Sequence, residues 1–529
     1  MRLVVFITIA ILPGNLWGQK TVFDLARKDA TLAEQYYFKG DLYAARALYQ
    51  RSSAIKPEVR FKMLGRCTYQ LRDYVACADA YQKLTGTTAK WQAQDYLNYA
   101  EALVTLKKYE AASEIYKKVL DLPDYADWIE GKLWRLGNMK YLYEDSVHLA
   151  VRRLKINTEF AEWGGRTIQG KLVFLSNRPT GDAIRIRDAA TNMNFYHYYQ
   201  SNEVIDTLVD GWGRLFQSPG KFSVELPKGN AGGFCFYQNY TKLVFTANTG
   251  RKDRYGIITL GIFFAELQNG RWIQTGEFEY NSATWSVTNP WIDESGQTLY
   301  FASNSREGFG GYDLYVSNFS NSWSKPVNLG AAINSPWDEQ FPWVSAGKLY
   351  FASNGHSGLG GLDLFSTELR TPAEPVNLGY PINSEFDDFA ITFTDSLATH
   401  GFLSSNRQHG GLDDDLYEFD MDLQTYPFTI TGILKQQEHA QSDTANVRVL
   451  QQAKIVLKDN ARGIEVLQTT SDAAGYFTLT IPYFAKYTLQ VIDSDEVEHV
   501  AAFDLPRQRT KSTVHEIVLV KDIFQTFTR

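Results

Sequence analysis

A strand–loop–strand phrase that recurs about every fifty residues constrains this chain more than any other feature. The copies are LYFASNSREGFGGYDLYVS at 299–317, LYFASNGHSGLGGLDLFST at 349–367 and GFLSSNRQHGGLDDDLYEF at 401–419. Each joins a short alternating strand to a Gly-Gly loop, where positive φ costs little, and to a second strand that begins at an Asp. A lone hairpin is marginal in water, so the repetition predicts hairpins that stack and bury one another's faces.

Two weaker copies upstream extend the repeat to five. The Asn residues that close the first strand fall at 177, 248, 304, 354 and 406, which gives spacings of 71, 56, 50 and 52. A unit of about fifty residues with four short strands is typical of a β-propeller blade. We therefore expect a propeller over residues 151–425, with five blades, or six if one is degenerate. Closure commonly joins the first and last strands in one blade, and Ile156–Phe160 is the candidate segment.

A second phrase lies between copies and makes the pattern more specific. Residues 325–335 read KPVNLGAAINS and residues 374–384 read EPVNLGYPINS, each followed by an acidic pair. With both phrases, the repeats resemble the WD-repeat-like, TolB-type propeller units of outer-membrane-associated proteins of Bacteroidetes. That resemblance implies a propeller of the same kind here.

Residues 20–150 have a helical pattern with its own repeat. The segments 41–50, 73–82 and 108–117 align at offsets of 32 and 35, which bracket the tetratricopeptide period of about 34. The pattern predicts three tetratricopeptide repeats with a capping helix over 124–150. Such arrays form a concave groove for peptides or partner surfaces, and the alternative is a spacer that packs on the propeller.

Residues 428–521 lose the fifty-residue period and show short alternating strands, which favour a small β-sandwich. The turn at Asp472–Gly475 resembles that of the carboxypeptidase-regulatory-like module. Gln436–Asn446 is expected to be an exposed loop. Residues 522–529 form a tail that either docks on a partner or frays.

The first residues have the pattern of an export signal. Leu3–Leu12 is an apolar run of about ten residues, as long as a signal-peptide core and too short to span a bilayer. Residues 1–18 are therefore expected to be a cleavable signal peptide, with a retained anchor as the alternative. The mature chain is expected to be periplasmic and peripheral to the outer membrane.

Net charge narrows the class of partner, and cysteine content indicates whether disulfides are expected. The net charge is −7 and no basic run of five or more occurs, which speaks against nucleic acid and against an anionic membrane surface. Cys67, Cys77 and Cys235 form no disulfide framework. They are expected to be small buried hydrophobes, with a bridge between Cys67 and Cys77 as the alternative.

No residue pattern points to a catalytic, cofactor or metal site. The loops Gly308–Gly311 and Gly358–Gly361 precede strands and not helix N-termini, so they lack the geometry of a phosphate cradle. Asp413–Asp415 lacks the spacing of a calcium loop, and a solvated turn is the preferred interpretation. We therefore expect no catalytic residues, no cofactor, no metal and no enzymatic activity.

The order of the segments resembles the PorE-like group of Bacteroidetes envelope proteins, which accompany the type IX secretion and gliding machinery. That resemblance implies a periplasmic scaffold bound to an outer-membrane β-barrel and other secretion components. Members of the group typically end in an OmpA-like domain, which this sequence does not show, so direct peptidoglycan binding is not expected. The alternatives are a propeller that captures a glycan or peptide at its central channel and a hydrolase with carboxylates on separate blades.

Overall fold

The structure is a computed structural model that describes residues 29–53, 55–120, 125–140, 142–143, 149–180, 187–204, 215–224, 229–370, 374–396, 398–408, 410–421, 428–437, 447–460, 463–481, 487–493, 498–503 and 512–520. The predicted signal peptide and the predicted tail lie outside the described residues, as does most of the loop expected at Gln436–Asn446.

The described N-terminal part is helical. Its seven α-helices are α1 (Asp29–Phe38), α2 (Leu42–Arg51), α3 (Pro57–Gln70), α4 (Tyr74–Thr85), α5 (Ala93–Thr105), α6 (Tyr109–Tyr116) and α7 (Ala126–Gly137). Asp41 and Asp73 cap α2 and α4 by accepting hydrogen bonds from the backbone N–H of Ala44 and Ala76. Lys108 stands at the equivalent place before α6 and makes no side-chain cap.

The prediction of a tetratricopeptide array as the leading component of the fold is wrong. The described chain is mostly β-strand, and its helices are a short segment docked on the β-structure. The third predicted repeat departs from the pattern because α6 has eight residues and runs into a 3₁₀ turn at Lys117–Val119. The recurring Tyr49, Tyr81 and Tyr116 are buried, so their period reports core packing between helices.

In the described ranges, the propeller has five blades, each an antiparallel sheet. Blade 1 contains β2 (Glu162–Ile168), β3 (Lys171–Ser176) and β4 (His197–Val204) with the edge strands β5 (Leu215–Phe216) and β6 (Gly220–Lys221). Blade 2 contains β7 (Ala231–Tyr237), β8 (Lys242–Lys252), β9 (Ile258–Gln268) and β10 (Arg271–Glu277). Blade 3 contains β11 (Val287–Ile292), β12 (Thr298–Ser303), β13 (Asp313–Asn318) and β14 (Val327–Asn328). Blade 4 contains β15 (Glu339–Ser345), β16 (Lys348–Ser353), β17 (Asp363–Glu368) and β18 (Val376–Asn377), and blade 5 contains β19 (Asp388–Phe393), β20 (His400–Ser405) and β21 (Asp415–Asp420).

The ring is closed by a strand that precedes blade 1. β1 (Ala150–Arg153) pairs antiparallel with β21 and completes blade 5. The candidate segment Ile156–Phe160 follows this strand and adds a side-chain closure. Asn157 accepts a hydrogen bond from the backbone N–H of Leu416 and donates one to its carbonyl, both at 2.8 Å. The first and last blades are thus joined twice.

The repeated Asn that ends each second strand has the same structural role in every blade. Its Oδ1 accepts a hydrogen bond from the backbone N–H of the residue that immediately precedes the inner strand of its own blade. These bonds join Asn177 to Ala161, Asn248 to Asn230, Asn304 to Ser286, Asn354 to Asp338 and Asn406 to Asp387. A buried N–H group without a partner destabilises the fold. The Asn therefore recurs because each inner strand needs a partner for the N–H group at its start.

Eight strands follow the propeller in two four-stranded sheets. One contains β22 (Phe428–Gln437), β23 (Val447–Val449), β26 (Tyr476–Ile481) and β29 (Ser512–Val520), and the other contains β24 (Lys454–Asp459), β25 (Ile464–Thr470), β27 (Tyr487–Ile492) and β28 (Glu498–Phe503). Apolar side chains of both sheets share one core that includes Leu434, Leu457, Phe477 and Leu489. β29 pairs with β22 in parallel.

Cys67, Cys77 and Cys235 are buried free thiols, so the alternative disulfide between Cys67 and Cys77 is absent. None of the helices in the described ranges has the length and apolar character needed to cross a membrane.

Candidate functional site

The inner strands of all five blades are interrupted by a β-bulge a few residues from their start. The bulges fall between Trp163 and Arg166, Ala231 and Phe234, Thr288 and Trp291, Gln340 and Trp343, and Phe389 and Thr392. A bulge bends its strand and re-aims the side chains around it. Five bulges at one level therefore shape the centre of the propeller.

Several bulge residues adopt an unfavourable backbone conformation. Asn289, Phe341 and Ala390 have left-handed φ values of 52°, 55° and 51°, and Gly164 has 70° at the matching place in blade 1. A left-handed φ is uncommon for residues other than Gly and Asn, and such residues cluster at binding sites. The repetition of this conformation around the ring singles out the level of the bulges as a candidate site.

A cavity lies at this level, between the five inner strands. Its volume is about 20 Å³, and its lining includes Trp163, Arg166, Phe234, Asn289, Phe341 and Thr392. That volume holds little more than one water molecule. Phe341 and Arg166 remain partly exposed, so the cavity communicates with solvent. A small terminal group can enter it, whereas the body of a larger ligand would stay at its mouth.

Aromatic rings from different blades meet beside the cavity. The ring centroids of Trp163 and Phe341 are 5.7 Å apart in an edge-to-face arrangement, and those of Phe341 and Phe389 are 4.9 Å apart. Trp163 also lies 5.9 Å from Tyr196. These contacts hold large apolar surfaces in fixed positions, which is the usual composition of a small-ligand site.

Arg166 supplies the positive charge of the cavity. Its guanidinium carbon lies 4.4 Å from the ring centroid of Trp343 and 5.2 Å from that of Phe234, which is within the range of cation–π contacts. The Nη1 atom is buried and has no hydrogen-bond partner among the described residues. Burial lowers the pKa of Arg166, while the Cys235 thiol raises it. The guanidinium stays charged at neutral pH because its ordinary pKa exceeds 12.

The described lining of the cavity contains no carboxylate. The acidic residues that begin the inner strands have structural partners: Glu339 accepts hydrogen bonds from the hydroxyls of Ser335 and Ser353, and Glu162 accepts them from Thr158 and Ser176. Burial raises the pKa of Glu339 to about 7. The cavity can therefore hold an anion and stack a ring, but it brings no pair of carboxylates together for acid–base chemistry.

The glycine loops have a different role from a phosphate cradle. A Cβ at Gly310 would lie 2.4 Å from the carbonyl carbon of Pro336, and one at Gly360 would lie 2.3 Å from that of Glu385. These glycines are needed because the next inner strand approaches closely, and neither has a positive φ. Positive φ occurs in the third copy, at Gly410 and Gly411.

The acidic triplet Asp413–Asp415 is used in ion pairs. Asp414 accepts from Arg72 at 2.6 Å, and Asp415 accepts from Arg153 at 2.8 Å. Within the described ranges, no group of three or more His, Cys, Asp or Glu side chains is placed to hold a metal ion.

The helical segment packs on one end of the propeller, close to the bulges. Glu339 pairs with Ser353, so the starts of inner strands and the loops after second strands share that end. Lys132 of α7 donates to the carbonyl of Asn354, and Arg135 donates to that of Gly358. The Arg72 guanidinium lies 5.8 Å from the ring centroid of Phe389, beside the aromatic cluster. The helices thus pack against loops of blades 4 and 5 at the end of the propeller where the inner strands begin.

The cavity residues were not predicted from the sequence. A signal was present in the matching segments EWGGR, AGGF, TNPW and QFPW, which place aromatic residues beside Gly or Pro near the start of four of the five inner strands. Those segments differ too much in sequence to align by eye. Their equivalence appears when the strand register is known, because the bulges then coincide.

No protein-family model matches the chain, and no match was found among curated proteins. Solved structures that it resembles include an α-L-arabinofuranosidase from Lactobacillus brevis, at 12% identity over 51% of this chain and 90% of that one, with a TM-score of 0.29. A protein of unknown function from Dyadobacter fermentans matches at 8% identity over 51% and 99%, with a TM-score of 0.31. A sucrose-6-phosphate hydrolase from Lactobacillus gasseri matches at 11% identity over 66% and 86%, with a TM-score of 0.33.

The prediction that the chain is not an enzyme is corrected by these comparisons. Arabinofuranosidases and xylosidases recur among the similar structures, which does not agree with an exclusion of enzymatic activity. At these low identities and TM-scores, the names describe those proteins and assign no reaction to this chain. The class that the strand pairing defines is a five-bladed β-propeller with a helical segment and a small β-sandwich.

Proposed function

We propose that this protein is a ligand-binding propeller that captures a glycan at the cavity between its five inner strands. The observation that supports this most directly is the convergence of Trp163, Phe234 and Phe341 from three blades on one cavity. Aromatic faces stack on the C–H faces of sugar rings, and rigid rings lose little conformational freedom on binding. A peptide is the alternative ligand.

The size of the cavity sets the mode of binding. Because about 20 Å³ admits one small group, a sugar ring would rest against Trp163 and Phe341 at the mouth with one substituent inserted. The left-handed bulges at Asn289, Phe341 and Ala390 hold the mouth in this shape before the ligand arrives. Such preorganisation reduces the entropic cost of binding.

The scaffold role implied by the resemblance to the PorE-like group gains no support from the fold or the comparisons. Its barrel partner, the export signal over residues 1–18 and the periplasmic location stay predictions. The geometry supports ligand capture better, because a scaffold does not require a cavity lined by oriented aromatic side chains.

The test is calorimetric titration of the full chain with panels of oligosaccharides and tripeptides. We expect an oligosaccharide to bind, and Phe341→Ala to weaken binding at least tenfold by removing one stacking face. The matched control is Phe309→Ala, since Phe309 is 53% exposed on a blade 3 loop and does not line the cavity. If no oligosaccharide binds, or if both variants bind as the parent does, the proposed function fails.

A further inference from the structure

The charge of Arg166 extends the proposed function to a class of ligand. We infer that the inserted group is a carboxylate, and that the glycan captured here is an acidic one whose sugar units are uronates. This inference rests on the proposed function, because it concerns the same cavity. It adds to the proposed function the chemical identity of the group that enters the cavity.

Arg166 differs from three other arginines of the propeller, which are paired with carboxylates. Arg153 pairs with Asp415 at 2.8 Å, Arg178 with Glu162 at 3.0 Å, and Arg407 with Asp388. Among the described residues, Arg166 has no such pair, and its Nη1 atom is buried without a partner. A partly buried cation without a counter-ion is unfavourable, so the free protein holds a charge that a bound anion would neutralise.

The guanidinium is oriented for such an anion. Its Cζ lies over the Trp343 and Phe234 rings, at 4.4 and 5.2 Å from their centroids. The Cys235 thiol takes one of its hydrogen bonds, and the Nη1 atom, which has no partner among the described residues, remains for a ligand. A planar carboxylate matches the two parallel N–H donors of an arginine.

The surroundings of Arg166 favour a carboxylate on a sugar. Trp163 and Phe341 line the cavity together with Arg166, and the ring that carries the carboxylate would rest against them. A uronate places its carboxylate directly on the ring, so one unit can stack and pair at once. Peptide carboxylates can also pair with Arg166 but are not attached directly to a ring, and they serve as a competing outcome in the test.

The experiment compares ligands of equal shape and different charge on the full chain. Trigalacturonate and a glucuronate trisaccharide are titrated by calorimetry alongside their methyl esters, which keep the sugar rings and lose the charge. Acetyl-glycyl-glycine reports a carboxylate without a sugar. We expect at least one uronate trisaccharide to bind tenfold or more tightly than its ester, and its affinity to fall with added salt.

Variants locate the effect at Arg166. Arg166→Met keeps length and apolar contact with Trp343 while removing the charge, and it should reduce uronate affinity to the level of the ester. The matched control is Arg251→Met, which removes a 42% exposed charge from blade 2 and should leave affinity unchanged. Thermal unfolding of each variant verifies that it is folded, and Arg166→Lys provides a second variant that keeps the charge.

The outcomes separate this inference from the proposed function. If uronates and their esters bind equally, and Phe341→Ala weakens both, the glycan site stands but the inserted group is not a carboxylate. If acetyl-glycyl-glycine binds more tightly than both uronates, the claim that the carboxylate belongs to a sugar is overturned. Retention of uronate affinity in Arg166→Met overturns the assigned residue. Absence of binding by every uronate overturns the inference, and the neutral oligosaccharide panel then decides the proposed function by itself.

Discussion

Arg72 of the helical segment donates a hydrogen bond to Asp414 of blade 5 across 2.6 Å, although the two residues are 342 positions apart in the chain. The same guanidinium lies 3.2 Å from a carboxylate oxygen of Asp387. Burial raises the pKa of Asp414, and Arg72 opposes that shift. One cation therefore balances two acidic residues where the helices meet the propeller.

Removal of Arg72 should weaken this junction. Arg72→Ala leaves Asp387 and Asp414 without their shared cation, and we expect a loss of about 2 kcal/mol, reduced from the value for a fully buried pair because Arg72 is partly exposed. Urea unfolding measures the loss, and hydrogen exchange should rise in the turn between α3 and α4. Lys83→Ala, which removes an exposed pair with Asp79, should change stability by less than about 0.5 kcal/mol. Equal effects of the two variants would contradict the prediction.

A second contact of the same junction is deeply buried. Lys132 and Glu101 are 1% and 5% exposed and pair at 2.7 Å, and Tyr116 also donates to Glu101. Lys132→Met should destabilise the protein by about 3–5 kcal/mol, because it leaves a buried carboxylate without its cation. Adding Glu101→Gln should restore part of the loss. A double-mutant cycle by urea unfolding measures the coupling, and purely additive losses would refute it.

Closure of the ring depends in part on Asn157. Asn157→Ala removes two hydrogen bonds to the backbone of Leu416 and should cost about 1–3 kcal/mol. Asn334→Ala is the matched variant, since Asn334 makes the same two bonds to Leu314 within the ring. We expect similar losses of stability but different sites of faster hydrogen exchange, with β1 affected by Asn157→Ala alone. Unchanged exchange in β1 would exclude a role in closure.

Glu339 should make stability depend on pH. Its pKa is raised by burial from 4.5 to about 7, so between these values the folded protein binds more protons than the unfolded chain. The free energy of unfolding contributed by this group is therefore full below pH 4.5 and falls as the pH rises to about 7. The expected fall is about 3 kcal/mol, from about 1.4 kcal/mol for each pH unit.

Glu339→Gln tests this dependence, because Gln keeps an oxygen that can accept from Ser335 and Ser353. The variant should show a flatter profile of unfolding free energy between pH 4.5 and 7 in urea titrations. Glu307→Gln, at a side chain that is 75% exposed, is the control and should follow the parent profile. A Glu339→Gln profile as steep as that of the parent would disprove the assignment.

The sequence by itself determined the blades. The repeated Asn and the acidic residues near strand starts act within one blade or between neighbours, so a period of about fifty residues records them directly. The same reasoning failed for the helices. Tyr49, Tyr81 and Tyr116 report that helices pack, and they carry no information on whether the outer faces form a groove or dock on another domain.

Only the tertiary structure decided how the ring closes and where its site lies. β1 pairs with a strand about 270 residues away in the chain, and no local pattern specifies that choice. Trp163, Phe234 and Phe341 meet because equivalent bulges face one axis. Arg166 looks like any arginine of an alternating strand in the sequence. Its significance follows from the absence of a carboxylate around it among the described residues, which depends on contacts between distant blades.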